Sequence, residues 1–336
     1  MMISLSGSKR RFKHPQLRAV RHFESLQERR DPLISSPLVS MFTQDVPLAV
    51  MPYRSSGKDG YDSKIVGAES EVRRALELLN SVERYNSHNA KEAVANAIRE
   101  IAQALAWYGL APYEIWTAIE GEEEGVEEDE DDIDEDESKS SIGLSWFTPK
   151  RLFRFSYFCI QLVPRADQEK WGRSLVILPK RILWLISMPN ELGGYRGYRR
   201  ILSRLARFNW TAPPFRQEEL GRGLGFPKTN FNFSEYRREI DVYQGRVTRK
   251  WGWTGRDTSS EKRTEFALFY RIVTFRWAQA LLREHILKEL NVLLRRLNIE
   301  AEIQVVGLPS ASEILQVRSA MIEGNVSYTK AYEMTK

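Results

Sequence analysis

Few residues in this chain of 336 have the types and spacing that catalysis or metal binding requires. The sequence predicts no zinc site, because no His-x-x-x-His or Glu-x-x-His pair occurs among the four scattered histidines, His14, His22, His88 and His285. The single cysteine, Cys159, excludes an internal disulfide and favours a reducing compartment. It stands in an aromatic stretch, where a thiol is more often buried than nucleophilic. We therefore expect no catalytic residue, no metal and no cofactor, and a protein that is not an enzyme.

One glycine-rich segment, Gly221–Lys228, superficially resembles a phosphate-binding loop. It lacks the Gly-Lys-Ser/Thr ending of such loops, and Pro227 removes an N–H donor that a loop of this kind uses. We therefore do not expect a nucleotide site in this segment.

A basic and aromatic segment with two glycines ends at Arg256. Glycine lets the main chain approach a phosphate backbone closely, and arginine and lysine supply positive charge. The candidates for facing DNA are Arg246, Arg249, Lys250, Trp251, Trp253 and Arg256. A packed turn whose tryptophans belong to the core explains the same residues equally well, so both interpretations stay open.

The charge is unevenly distributed along the chain. Fourteen acidic residues and no basic ones lie between Glu120 and Glu137, and the rest of the chain has 50 basic against 31 acidic residues, or +19. Lys150 to Arg256 alone has 22 basic against 8 acidic residues, or +14. Further basic surface candidates in this stretch are Arg199, Arg200, Arg204 and Arg207. Such a field predicts a polyanionic partner, although a solvated surface of paired arginines is the alternative.

The acidic segment, Glu120–Glu137, has two interpretations. Like charges at this density repel one another and cannot build a core, which favours a solvated loop. The alternative is a counter-charge that occupies the basic surface when DNA is absent.

The hydrophobic pattern predicts an α+β protein, helix-rich, with a small antiparallel sheet and one very long helix. Residues 1–65 are expected to form a basic arm or loosely packed cover. Two helices are then predicted, one over Ser70–Tyr85 and one that starts after Ser87 and ends at Gly109. A strand is expected to follow over Pro112–Ile119. The strands of the small sheet are expected within residues 112–186, and the first hairpin should have the acidic segment at its tip.

The second half of the chain is predicted to be mainly helical. A glycine-rich turn opens a basic helix over Tyr198–Phe208, and another helix is expected over Ser234–Val247. The clearest element is Ser260–Leu297, without Gly or Pro and with a capping box beginning at Thr258. Its apolar residues cover more than one face, so we expect neighbours on two sides. A strand over Glu302–Val306 and a helix after Ser310 close the pattern.

The composition and the apolar runs exclude several classes of protein. With 42% hydrophobic and 28% charged residues, the chain is of the globular kind rather than collagenous or wholly disordered. Its longest charge-free apolar stretches fall short of the roughly 18–20 residues that a bilayer span needs. No apolar segment follows the basic cluster near the N-terminus, so we expect neither a secretory signal nor a membrane partner.

The order of these pieces resembles that of bacteriophage portal proteins, especially the Mu-like branch. A helix that ends in glycine leads to a strand, a hairpin returns through a proline-containing strand, and a proline–lysine step precedes a glycine/tyrosine turn that opens a helix. The matching segments are Ala104–Trp116, Leu144–Phe155, Leu178–Trp184, Gly193–Tyr198, Glu219–Pro227 and Ile322–Tyr328, the last resembling a helix boundary after a strand. The resemblance covers roughly residues 70–330.

This resemblance implies a structural protein of the virion, assembled in the host cytoplasm, that forms a ring of about twelve subunits around a channel for double-stranded DNA. A terminase motor, capsid proteins and head–tail connector proteins are its implied partners. Residues 1–65 would be the arm, 66–192 a wing-like region with the acidic insert at 120–140, 193–300 the stem or channel region and 301–336 the C-terminal strand and helix. Ser260–Leu297 would resemble the channel-associated helix, and Val247–Ser259 the loop that reaches toward DNA.

Two alternatives to the portal interpretation stay open. One is a basic nucleic-acid-binding accessory protein of a phage or mobile element that forms no ring. The other is an enzyme whose site carries no recognisable motif. The two-sided long helix fits packing in a ring, but a long helix buried within a monomer gives the same pattern.

Overall fold

The computed structural model describes residues 17–24, 36–52, 60–82, 87, 89–119, 140–207, 241–255 and 264–335. The helices are α1 (Pro37–Leu48), α2 (Glu69–Val82), α3 (Ala90–Tyr108), α4 (Arg165–Trp171), α5 (Gly194–Ala206), α6 (Glu265–Arg296), α7 (Ala311–Ile322) and α8 (Tyr328–Met334). The strands are β1 (Asp62–Gly67), β2 (Leu110–Ile119), β3 (Ser140–Trp146), β4 (Leu152–Arg154), β5 (Phe158–Leu162), β6 (Leu175–Pro179) and β7 (Leu183–Ser187), with β8 (Ala301–Val306) near the end. The structure is 56% helical and 19% strand with small antiparallel sheets, which confirms the α+β class.

Helix α3 leads directly into strand β2, as predicted. The side chain of Asn89 caps α3 by accepting a hydrogen bond from the Glu92 N–H, and Gly109 ends the helix with φ of 70°. Only glycine adopts this backbone conformation without strain, and a Cβ at Gly109 would lie 3.1 Å from the Tyr198 ring. The chain therefore turns at once from a buried helix into β2.

The predicted first hairpin is confirmed. Strand β2 pairs antiparallel with β3, from Tyr113 opposite Trp146 to Ile119 opposite Ser140, and it pairs with β7 on its other side. The acidic segment thus connects two paired strand ends, and residues 120–139 lie outside the described part of the chain.

The sequence predicts one small sheet, but the strands after this hairpin do not all join it. Strands β4, β5 and β6 form a separate antiparallel sheet, while β7 returns to β2. A third sheet pairs β1 with β8, from Asp62 opposite Val306 to Gly67 opposite Ala301. Strand β1 is not predicted from the sequence, because its partner lies more than 230 residues away in the chain.

Helix α1 lies in the main core, so the expectation of a loosely packed arm over residues 1–65 is wrong for this part of it. Leu38, Phe42 and Val46 are fully buried. Pro37 is the first residue of the helix, where its missing N–H costs no hydrogen bond, and Pro47 lies in the last turn. The main hydrophobic cluster includes residues from all four segments into which the sequence was divided.

A second part of the predicted arm, residues 17–24, is held by buried polar side chains. The Glu114 carboxylate accepts hydrogen bonds from the N–H groups of Arg18 and Ala19. Gln161 exchanges two hydrogen bonds with the Val20 backbone, and Asp167 accepts one from the Glu24 N–H. The segment therefore packs over the second cluster, which lies against one face of the β4–β5–β6 sheet.

The long helix is confirmed as α6, 32 residues and about 48 Å in length. Its described N-cap is Thr264, whose side chain accepts from the Ala267 N–H, and the capping box predicted at Thr258 lies outside the described residues. Leu282, Ile286 and other side chains enter the main cluster, whereas Val273 and Ala280 pack against α7 and α8. Both apolar faces are thus covered within one chain.

The C-terminal region has one helix more than predicted. Strand β8 and helix α7 appear as expected, and α7 has the capping box formed by Ser310 and Glu313. The segment Ile322–Tyr328 lies between two helices rather than after a strand, because Gly324 turns the chain with φ of 78° and Ser327 caps α8. Among the described residues, no helix is both long and apolar enough to cross a membrane.

Candidate nucleic-acid interface

The fold brings the two predicted basic regions together. Helix α5 contacts the helical segment over residues 241–247 through Tyr243, whose hydroxyl donates a 2.9 Å hydrogen bond to the Arg204 carbonyl. The buried rings of Tyr198 on α5 and Trp251 in the turn after this segment have centres 5.4 Å apart. We refer to six exposed cations of these two elements as the basic surface: Arg200, Arg204, Arg207, Arg246, Arg249 and Lys250.

Helix α5 presents its arginines because its apolar residues occupy the opposite face. Tyr198, Leu202 and Leu205 are fully buried at helical spacing. The Tyr198 hydroxyl donates a 2.7 Å hydrogen bond to the Ala106 carbonyl of α3, and burial raises the pKa of this hydroxyl well above its usual value. Arg199 lies at the edge of the buried face and is half-buried, while Arg200, Arg204 and Arg207 are exposed.

The turn after residue 247 is packed against the core, which corrects part of the sequence interpretation. Trp251 and Trp253 were candidates for facing DNA, but their side chains are buried beside Phe42. The Trp253 Nε1–H donates to the Asp45 carboxylate over 2.9 Å, and the Arg271 guanidinium donates to the Trp253 carbonyl. The two tryptophans anchor the turn and cannot stack on a ligand.

Gly252 fixes the path of this turn. Its φ is 71°, and a Cβ there would lie 2.4 Å from the Arg271 carbonyl oxygen of α6. The turn therefore packs directly on the long helix, which leaves Arg246, Arg249 and Lys250 exposed on its outer side. Arg256, the remaining candidate, lies outside the described residues.

The basic surface carries uncompensated charge. Within the part of the chain that the structure describes, no acidic side chain forms an ion pair with any of its six cations. Helix α5 contains no Asp or Glu, and Asp241 is the only acidic residue from 241 to 255. Among the described residues these six cations therefore have no acidic partner, and exposed positive charge of this kind attracts polyanions.

The other residues considered for chemistry form no catalytic arrangement in the described ranges. Cys159 is fully buried, and this burial raises the pKa of its thiol, which keeps the thiol protonated. His285 forms a hydrogen bond with the Ser187 carbonyl, which joins α6 to β7. No group of three or more metal-ligating side chains occurs among the described residues. The segment Gly221–Lys228 lies outside them.

Sequence reasoning missed the residues that hold the basic surface together. Tyr243 and Asp45 belong to no motif, and the contacts they make join positions far apart in the chain. The helical spacing of Tyr198, Leu202 and Leu205 was the sequence signal that could have shown which face of α5 is buried.

Comparison with protein-family models and with curated proteins finds no match for this chain.

Proposed function

We propose that this chain is a portal-like structural protein of a bacteriophage. In this proposal about twelve copies form a ring around a channel through which double-stranded DNA is packaged and ejected. The protein is part of the virion and is assembled in the host cytoplasm. A terminase motor, capsid proteins and head–tail connector proteins are its partners, and the chain has no catalytic role.

The observation that carries the proposal is the basic surface, in which two elements in contact expose six cations that have no acidic partner among the described residues. Double-stranded DNA presents one negative charge per about 1.7 Å of its axis, so a surface of this kind attracts it without reading its sequence. All six cations are arginine or lysine side chains, and among the described residues of these two elements no exposed aromatic side chain lies between them. Contacts to phosphate alone are compatible with a strand that slides past.

The order of the elements supports the same proposal. The structure has a helix ending in glycine that leads to β2, a hairpin, the proline–lysine step at the end of β6, and a glycine turn that opens α5. The long helix α6 and strand β8 then follow. The helix-to-strand step, the hairpin, the proline–lysine step and the glycine turn are among the segments on which the resemblance to portal proteins rests.

A basic accessory protein that binds nucleic acid without forming a ring is the second candidate. The packing of α6 favours it, because both apolar faces of that helix are covered within the same chain. The helix therefore requires no neighbouring subunit. The two candidates agree on DNA binding and differ on assembly.

The DNA-binding part is tested by removing charge from the turn. Replacing Arg246, Arg249 and Lys250 together by glutamine should flatten the slope of log affinity against log salt by up to about 2.7, since each phosphate contact contributes about 0.9. Binding of a duplex oligonucleotide, measured by fluorescence anisotropy at several salt concentrations, gives this slope.

The matched control removes the same charge elsewhere. Lys64, Lys288 and Lys330 are exposed on β1, α6 and α8, which are not the elements of the basic surface, and their replacement by glutamine should leave the slope close to that of the unmodified protein. Equal slopes for the two triple variants would show that only net charge matters and that the basic surface makes no specific contact with DNA.

A further inference from the structure

The sheet formed by β4, β5 and β6 has one covered face and one uncovered face. Its inward side chains, Cys159, Val176 and Leu178, are buried in the second hydrophobic cluster. The opposite side and the adjoining turn expose large apolar side chains to between 36% and 86% of their area. We refer to these residues as the outer sheet face: Phe153, Phe155, Tyr157, Phe158, Leu175 and Ile177.

The strand pairing places these side chains side by side. Phe153 of β4 lies opposite Ile160 of β5, which lies opposite Ile177 of β6. The rings of Phe155 and Phe158 stack with their centres 4.9 Å apart. The outer sheet face is therefore one continuous apolar surface rather than a set of isolated exposed residues.

The sequence pattern of these strands is that of a sheet buried on both faces. Strands β5 and β6 carry apolar residues at both outward and inward positions. A sheet with one solvent-exposed face instead alternates apolar with polar residues along each strand. The polar residues of the sheet lie on its inner side. Gln161 is fully buried and bonds to Val20, and Arg154 stacks on the Tyr195 ring.

The exposed area is close to that of one side of a stable interface. Six large side chains exposed to this degree present roughly 600 Å² of apolar surface, against about 800 Å² per partner in a standard complex. The other exposed large apolar residues of the described chain are spread over seven elements, with no more than two on any one of them. The outer sheet face is therefore the strongest candidate for a protein contact.

We infer that the outer sheet face binds a second copy of this chain and is the subunit contact of the ring, an inference that rests on the proposed function. A ring of more than two subunits closes through a head-to-tail contact, in which this face of each subunit packs against a different surface of the next one. Helix α6 does not supply it, because its apolar faces are already covered. The outward strand positions also carry no cation, which disfavours nucleic acid as the occupant.

The first experiment places a charge at the centre of the surface. Ile177→Lys should shift the oligomer to monomers, as measured by size-exclusion chromatography with light scattering at micromolar concentration, while the circular dichroism spectrum stays unchanged. Val66→Lys is the matched control, since Val66 is an exposed β-branched residue on a strand of a different sheet, and it should leave the oligomer intact. An Ile177→Lys protein that stays fully oligomeric overturns the inference.

A second experiment tests the inference even if the Ile177→Lys variant does not fold. A photo-crosslinking benzoylphenylalanine replaces Tyr157, the most exposed residue of the surface, in a mixture of light and heavy isotope-labelled protein. We expect crosslinked peptides that join a light chain to a heavy chain. Crosslinks found only within single chains would show that the chain covers this face itself, and would overturn the inference.

The outcomes separate this inference from the proposed function. Rings that persist with Ile177→Lys contradict the contact surface but not the ring. Dimers in the unmodified protein that Ile177→Lys dissociates support the contact surface and contradict the ring. Unmodified protein that is monomeric and gives no light–heavy crosslink contradicts both.

Discussion

The turn over residues 248–255 is anchored by two buried tryptophans and exposes its cations on the outer side. Trp251 has no exposed area and packs against Phe42 and Tyr198. Arg249, two residues earlier, is exposed and forms no ion pair in the described structure. Two neighbouring residues thus have separate roles, one in packing and one in charge.

Trp251→Ala should destabilise the protein by about 3–5 kcal/mol, because it removes a large aromatic side chain from the core and leaves a cavity. Arg249→Ala is the control and should change the free energy of unfolding by no more than about 0.5 kcal/mol. Urea denaturation followed by circular dichroism measures both. A Trp251→Ala protein as stable as the unmodified one would contradict the packing of this turn.

Glu71 links stability to pH. Its carboxylate accepts the Glu300 N–H over 2.9 Å and pairs with Arg74, and these contacts lower the pKa of Glu71 below its usual value of 4.5. Because the folded-state pKa lies below the unfolded-state pKa, the stabilisation is fully present above pH 4.5 and is lost as the pH falls through the folded-state value.

The unmodified protein should therefore unfold at a higher temperature than Glu71→Gln at pH 7, with a difference that shrinks as the pH falls below 4.5. Thermal unfolding of both proteins between pH 7 and pH 3 gives this difference. A difference that stays constant over the whole range would show that ionisation of Glu71 contributes nothing.

At the scale of elements, the β2–β3 hairpin is paired up to Ile119 and Ser140, so the acidic segment begins where the pairing ends. A hairpin connection usually takes about two to five residues. Replacing residues 120–137 by a short Gly/Asn turn should leave folding and assembly intact, since long loops cost little closure entropy. The melting temperature and the particle size measure this outcome.

The same variant also tests whether the acidic segment shields the basic surface. If it does, its removal should tighten binding to duplex DNA most at low salt, because charges up to roughly 30 Å apart interact at 0.01 M ionic strength. A polyglutamine segment of the same length controls for the loop itself. Loss of folded protein on removal would contradict the interpretation of these residues as a solvated hairpin tip.

Elements with strong local signals were predictable from the sequence, and those defined by distant contacts were not. The periodicity of α3 and its terminal Gly109 gave both ends of that helix to within a few residues. Helix α1 was missed because Pro37 and Pro47 read as breaks, although each stands in a terminal turn. Whether the tryptophans are buried or exposed could not be predicted from the sequence, because Trp251 packs against Phe42, which is far away in the chain.

At the scale of the whole molecule, one main core draws on elements from α1 to β8, while six exposed cations lie together on α5 and residues 241–250. The apolar surface on β4, β5 and β6 is formed by different elements from those of the basic surface on α5 and residues 241–255. One surface can therefore contact a neighbouring subunit while the other faces DNA. A ring with a basic channel needs both at once.

Single-particle electron cryomicroscopy of the purified full-length chain tests this account most directly. We expect closed rings with an open central channel, in which α5 and the turn carrying Arg249 and Lys250 line the channel wall. Particles that are only monomers at micromolar concentration would contradict the account, and so would rings in which the basic surface lies on the outer circumference.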